Sequence, residues 1–170
     1  MGKRNKDNNN NFQGNIISKL PVKECNYCLG CPARLYTPNE FIVYGKGNVC
    51  SPIMFVIYDS YKHKQDNIKL LKDIYQELFQ KDIFEEHYVT TAVKCECQNE
   101  ILMQSFINCR NLLCDEITSI MPNKIIVVGN IRINFGDKYK IYYIPNIYSL
   151  LYGEKNIAKF KERLLEAIYD

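Results

Sequence analysis

HYVTTAVKC (His87–Cys95), EILMQSFINCRNLLCDEITSI (Glu100–Ile120) and MPNKIIVVG (Met121–Gly129) together read as strand, helix, strand. Val89, Thr90, Thr91 and Val93 make His87–Val93 rich in β-branched side chains, which pack well on a pleated surface. In the middle segment Ile101, Leu102, Phe106, Ile107, Leu112, Leu113, Ile117 and Ile120 recur every three or four residues, the period of a one-faced helix. Met121-Pro122 ends that helix, and the short apolar run Ile125–Val128, closed by Gly129, reads as a strand buried on both sides.

The same alternation extends outward. Ser51-Pro52 introduces a buried strand over Ile53–Ile57. Leu70, Leu71, Ile74, Tyr75, Leu78 and Phe79 predict a helix over Ile68–Phe79. Tyr139–Ile144, closed by Pro145, is a further strand, and Ile157–Tyr169 is an amphipathic helix with Phe160, Leu164, Leu165 and Ile168 on one side. Strands alternating with helices specify an α/β fold, a three-layer α/β/α sandwich around a four-stranded, mainly parallel sheet. Sites in such sheets form at the carboxyl ends of the strands. Those ends are Ile57-Tyr58-Asp59-Ser60, Val93-Lys94-Cys95, Gly129-Asn130 and Ile144-Pro145-Asn146. Glu24–Asn48 reads as loop and short helix, residues 1–20 as a polar, Asn-rich tail, and residues 21–170 as one domain.

The 170 residues are enough for one real core. No apolar run is long enough to span a bilayer, so no membrane partner is expected. The basic N-terminus lacks the apolar segment of a secretory signal, which gives a cytoplasmic or other reducing intracellular address as the expectation. The net charge of +3 permits DNA without demanding it. Richness in Asn, Ile, Lys and Tyr follows AT-rich codons, as in an AT-rich bacterium, phage or virus.

Eight cysteines in such a chain point to metal rather than to disulfides. Cys25-Asn26-Tyr27-Cys28-Leu29-Gly30-Cys31 holds two overlapping C-x-x-C pairs, a spacing that lets one turn of chain offer two thiolates to one ion. Cys95 follows a strand and Cys109 lies on the next helix, so a pair from the first loop converges with them without strain. Cys50, Cys97 and Cys114 read as ordinary core or surface thiols. Four thiolates suit either an iron–sulfur cluster or zinc, and one local pair with two distant ligands suits the cluster slightly better.

The order C-x-x-C, Gly45-Lys46-Gly47-Asn48, Ile53-Met54-Phe55-Val56, Thr90-Thr91-Ala92-Val93-Lys94-Cys95, Cys109 and Met121-Pro122-Asn123-Lys124-Ile125-Ile126-Val127-Val128-Gly129 resembles the iron–sulfur (family 4 type) uracil-DNA glycosylases. The resemblance runs from Cys25 to the C-terminus and implies their fold. It also implies a 4Fe-4S cluster, or zinc in its place, held by Cys28, Cys31, Cys95 and Cys109, with Cys25 the competitor in the first pair.

The departures from that family concern the chemistry. Its G-E-x-P-G loop is replaced by Ile57-Tyr58-Asp59-Ser60-Tyr61, and its P-F-x-G segment is missing, Tyr61–Asn67 being short and polar. Thr91 stands where an Asn reads the uracil edge, and a hydroxyl lacks the amide's donor–acceptor pair. Ile144 stands where a His stabilises the departing base. Asp59 is the one weak candidate for activating water, and His63 and His87 read as surface residues. The expectation is a non-catalytic, DNA-associated relative serving as a subunit of a replication, repair or transcription assembly. Phosphate contacts are expected from Arg34, Lys46, Lys62, Lys64, Lys94 and Arg110, with Asn146 also facing nucleic acid. The alternatives are a divergent active glycosylase using Asp59, and a metal-stapled module for protein partners, with Tyr139, Tyr142, Tyr143, Tyr148 and Tyr152 as a sticky surface.

Overall fold

The computed structural model describes residues 24–36, 42–58, 61–95, 97, 99–147 and 153–170. Strands β1 (Lys46–Gly47), β2 (Ile53–Ile57), β3 (Tyr88–Thr91), β4 (Lys124–Val128) and β5 (Lys140–Ile144) form one sheet in the order β1-β3-β2-β4-β5. β3, β2, β4 and β5 are parallel neighbours. β1 runs antiparallel along β3, with Lys46 opposite Val89 and Gly47 opposite Tyr88. The sheet is therefore five-stranded and mixed, which corrects the four-stranded expectation. The extra strand is two residues long, too short to show a period of its own. Its glycine has a steric cause. Gly47 has φ +116, and a Cβ there would stand 2.2 Å from the His87 carbonyl oxygen.

The helices are α1 (Pro32–Tyr36), α2 (Tyr61–Phe79), α3 (Ile83–Glu86), α4 (Leu102–Ile120) and α5 (Glu154–Tyr169). α2 begins seven residues before its apolar pattern does, so the polar segment Tyr61–Asn67 is helical. α3 was not foreseen; it is a single turn whose N-terminus is capped by Asp82, which accepts from the Phe84 N–H at 2.9 Å. α4 is entered through a 3₁₀ turn, Asn99–Ile101, and leaves through Met121 in the left-handed region at φ 53. The Met121 N–H closes that end on the Ile117 carbonyl at 2.8 Å, and Pro122 follows.

Alternation along the central strands divides the core into two layers. Met54, Val56, Ile125 and Val127 pack with Phe106, Leu112, Leu113 and Ile117 of α4. Phe55, Ile57, Ile126 and Val128 pack with Leu71, Ile74 and Tyr75 of α2 and Phe160, Leu164 and Ala167 of α5. The crossover from β2 to β3 thus lies on one face and that from β3 to β4 on the other. The strand order reverses at β2 and β4, which makes their carboxyl ends the expected ligand crevice. Tyr58 packs at the end of β2 there. Tyr58 is 9% exposed and meets Phe106 edge to face at 5.8 Å between centroids. The Tyr58 N–H donates to the Val128 carbonyl at 2.9 Å. Gly129, at φ +136, comes so close that a Cβ would lie 2.6 Å from the Tyr58 carbonyl oxygen. No helix among the described residues is long and apolar enough to cross a membrane.

Candidate metal centre

Buried cysteines gather on the segment leaving β3 and on the helix that follows it. Cys95 ends the first, and Cys109 lies on the buried stripe of α4. Cys31, just before α1, and Cys97 belong to the same core cluster, and none of the four is more than 3% exposed. Cys95 and Cys109 are hydrogen-bonded to each other. That bond, then burial, then the charges of Cys109, Cys97 and Cys31 push the Cys95 thiol far above the usual thiol range. A cation among these sulfurs would reverse that preference, since a coordinated thiol gives up its proton. Thiols are the donor type that a thiolate-bound metal takes. Among the described residues, however, no group of three or more His, Cys, Asp or Glu side chains is arranged to hold an ion. The Cys28 side chain lies outside the described residues.

The other cysteines separate from this group. Cys25 is buried in the same cluster but sits by Tyr44, where burial and then its charge raise the tyrosine hydroxyl. Cys50 is exposed and Cys114 half-buried. Cys97, read from the sequence as an ordinary thiol, is buried beside Cys95. Its signal was the close spacing Cys95-Glu96-Cys97, which keeps it beside a predicted ligand whatever the local conformation.

A buried polar clamp lies behind the cysteines. Lys94 is fully buried and forms an ion pair with Glu116, whose side chain is 4% exposed. The carboxylate also accepts from the Gly45 N–H at 2.6 Å, the Tyr88 hydroxyl at 2.8 Å and the Thr90 hydroxyl at 2.8 Å. Lys94 donates to Thr90 Oγ1 at 2.5 Å as well. Burial pushes the Glu116 carboxyl up, yet Lys94 and these donors together hold it below the usual glutamate range. Burial lowers Lys94, which Glu116 opposes. Glu116 is seven residues beyond Cys109, on the same face of α4, so the clamp fixes how the two cysteine-bearing segments meet. It also removes Lys94 from the expected phosphate contacts, because its ammonium is inside the protein.

The remaining candidates scatter. Lys46 is exposed on β1, its ammonium 4.3 Å from the centre of the Phe84 ring. Asn146 is half-buried beyond β5, at the opposite edge of the sheet. Four strand spacings put those edges about 19 Å apart. Arg34 is half-buried on α1. Arg110 is exposed on α4 and donates to the Asn134 carbonyl at 3.2 Å. Asp59, Tyr148 and Tyr152, the tail over residues 1–20, and the side chains of Lys62, His63 and Lys64 lie outside the described residues. Thr91 is 6% exposed and donates to the Val93 carbonyl at 2.9 Å, facing its own chain. His87 is not a surface residue. It is 7% exposed, with Nδ1 at 3.0 Å from Ser51 Oγ and Nε2 at 2.9 Å from the Tyr75 hydroxyl.

Fold and side chains together define an α/β domain with a cysteine-lined junction between its third strand and fourth helix. No protein-family model matches the chain, and no curated protein matches its sequence.

Proposed function

We propose that this chain is a metal-centred α/β domain of the iron–sulfur uracil-DNA glycosylase type, without base-excision chemistry, that acts as a DNA-associated subunit of a replication, repair or transcription assembly. The observation that carries this reading is the gathering of Cys31, Cys95, Cys97 and Cys109 in one buried cluster at the β3–α4 junction. Cys28, Cys31, Cys95 and Cys109 would hold a 4Fe-4S cluster or zinc, with Cys97 at hand as an alternative fourth ligand. Bound there, the metal supplies a cross-link between the first loop and the junction. Lost chemistry is supported by Thr91, whose hydroxyl is turned onto Val93, and by Tyr58, which is buried against Phe106 after β2. Lys46 and Arg110, exposed on the surface, remain for phosphates. A second reading, a module for protein partners, draws on the cysteine loop, where Leu29 is 66% and Leu35 81% exposed.

Anaerobically purified protein is expected to carry stoichiometric iron and sulfide, or zinc. A uracil-containing oligonucleotide should show no strand breaks after incubation and alkali, and DNA mobility should be retarded at low salt and released as salt rises. Absence of metal removes the metal centre from the reading. Strand breaks restore the enzyme. Unchanged DNA mobility favours the protein-binding module.

A further inference from the structure

The two edges of the sheet are built differently. β1 closes one edge with two residues, whereas β5 closes the other with five. A very short edge strand resists pairing with other chains; a longer one offers them a template. The Lys140 N–H donates to the Asn123 carbonyl at 3.2 Å and the Gly129 N–H to the Ile144 carbonyl at 3.1 Å. Residues 140, 142 and 144 thus turn their backbone groups toward β4. By alternation the N–H and C=O groups of Ile141 and Tyr143 turn outward, and no described residue pairs with them. The register with β4 is continuous over Lys140–Ile144, so no bulge twists the edge away. A cleft of about 640 Å³ lies beside this strand. It is lined by Tyr143 and Ile144 of β5, by Arg132 of the β4–β5 connection, and by Lys159, Arg163 and Glu166 of α5. Among the described residues Arg163 alone of the three cations has a carboxylate partner, Glu166 at 2.8 Å. The guanidinium carbon of Arg132 lies 4.3 Å from the centre of the Tyr143 ring. The two faces of the edge differ. Tyr142 and Ile144 belong to the layer of α5, which brings Lys159 and Arg163, whereas Tyr139, Ile141 and Tyr143 belong to the layer of α4.

We propose that the outer edge of β5 is a strand-addition site for an extended, acidic segment of a partner protein. The backbone of that segment pairs with the outward N–H and C=O groups of Ile141 and Tyr143. Side chains of an added strand alternate between the two faces. Those on the α5 face meet Lys159 and Arg163, which select carboxylates. Those on the other face meet the half-buried Ile141 and Tyr143, which select apolar groups. The segment that fits therefore alternates acidic and apolar residues. A second copy of the chain fits less well, because Lys140–Ile144 brings a lysine and no carboxylate to the pairing. Nucleic acid would use the cations and leave the backbone edge unpaired. Nothing in this edge depends on the metal centre or on DNA, so its failure leaves the function proposed above standing.

The test uses the full-length protein and a fluorescein-labelled peptide of alternating Val and Glu, about eight residues long, within the usual span of a strand. Fluorescence anisotropy should show saturable binding. Arg132→Glu combined with Lys159→Glu, both exposed positions, should weaken it about ten-fold or more, because like charges then face the probe. The same peptide with its backbone N-methylated has no N–H groups to pair along the edge and should not bind. In the free protein, amide hydrogen exchange should be fast at Ile141 and Tyr143 and slow at Tyr142 and Ile144, and the peptide should slow the first pair. Slow exchange at Ile141 and Tyr143 in the free protein would overturn the proposal, since the edge would already be paired. So would absence of peptide binding, or equal binding of the N-methylated peptide, which would reduce the site to charge alone. Oligothymidylate that binds where the peptide does not, and loses affinity in the charge-reversed variant, would overturn it in favour of a nucleic-acid cleft.

Discussion

At the scale of single residues, burial decides what polar groups can do here. His87 shows this most directly. Desolvation holds its imidazole down to about 4 from an ordinary 6.5. Its two hydrogen bonds, to Ser51 and Tyr75, suit a neutral ring with one donor and one acceptor nitrogen. The folded-state value is the lower one, so protons bind the unfolded chain more readily between these limits. The contribution to stability is complete above about pH 6.5 and is lost as pH falls toward about 4, amounting to about 3 kcal/mol at most. Urea unfolding at pH 7.5 and pH 4.5 should show that loss, and His87→Gln should flatten it. A wild-type stability independent of pH over this range would refute the assignment. Nothing in the sequence disclosed this burial. A histidine opening a strand reads the same whether a tyrosine from a distant helix covers it or water does.

At the scale of elements, the question is what holds the exit of β3 against α4. Apolar contact does part of the work, but Lys94 and Glu116 fix the register, since only one sliding position lets the carboxylate meet all of its donors. Glu116→Gln removes the charge while keeping the shape, leaving the Lys94 ammonium buried without its counter-ion. Breaking a buried pair in this way should cost about 3–5 kcal/mol. Removing both charges, as in Lys94→Met with Glu116→Leu, should recover much of it. Equal stability of the single variant and wild type in urea would show that the pair is not a clamp. The elements themselves were largely legible. Periodicity located β2, β4, β5, α4 and most of α5, because each buries a face long enough to leave a pattern. It missed β1, whose two residues pair only because Gly45 and Gly47 let the backbone approach β3. It also started α2 late, since the first turns of that helix are polar and show no apolar period. The sequence expectation that Cys95 and Cys109 approach each other where β3 gives way to α4 is met by their hydrogen bond. Cys97, read as an ordinary thiol, is buried beside Cys95, a proximity that their linear spacing already gave.

At the scale of the whole molecule, the sheet divides the protein into two unequal layers. The layer under α4 contains Cys25, Cys31, Cys95, Cys97 and Cys109, whereas the layer under α2 and α5 is built from aliphatic and aromatic side chains with no cysteine among its described residues. Thiols pack as small, weakly cohesive groups, and Ser105 adds an unsatisfied hydroxyl to the same layer. Under the proposed reading the α4 layer should therefore depend on a bound metal and the α2–α5 layer should not. Chelation under anaerobic conditions, followed by amide hydrogen exchange, separates the two. Amides of Cys31–Tyr36, of residues 92–95 and of the first half of α4 should lose protection, because their cross-link is gone. Those of α5, the second half of α2 and the centre of β4 should keep theirs, since Phe160, Leu164, Leu71 and Ile126 remain packed. Uniform loss over both layers would mean that the sheet folds and unfolds as one unit with its metal. No loss anywhere would mean that the cysteines are packing residues and that the junction needs no ion to hold its shape.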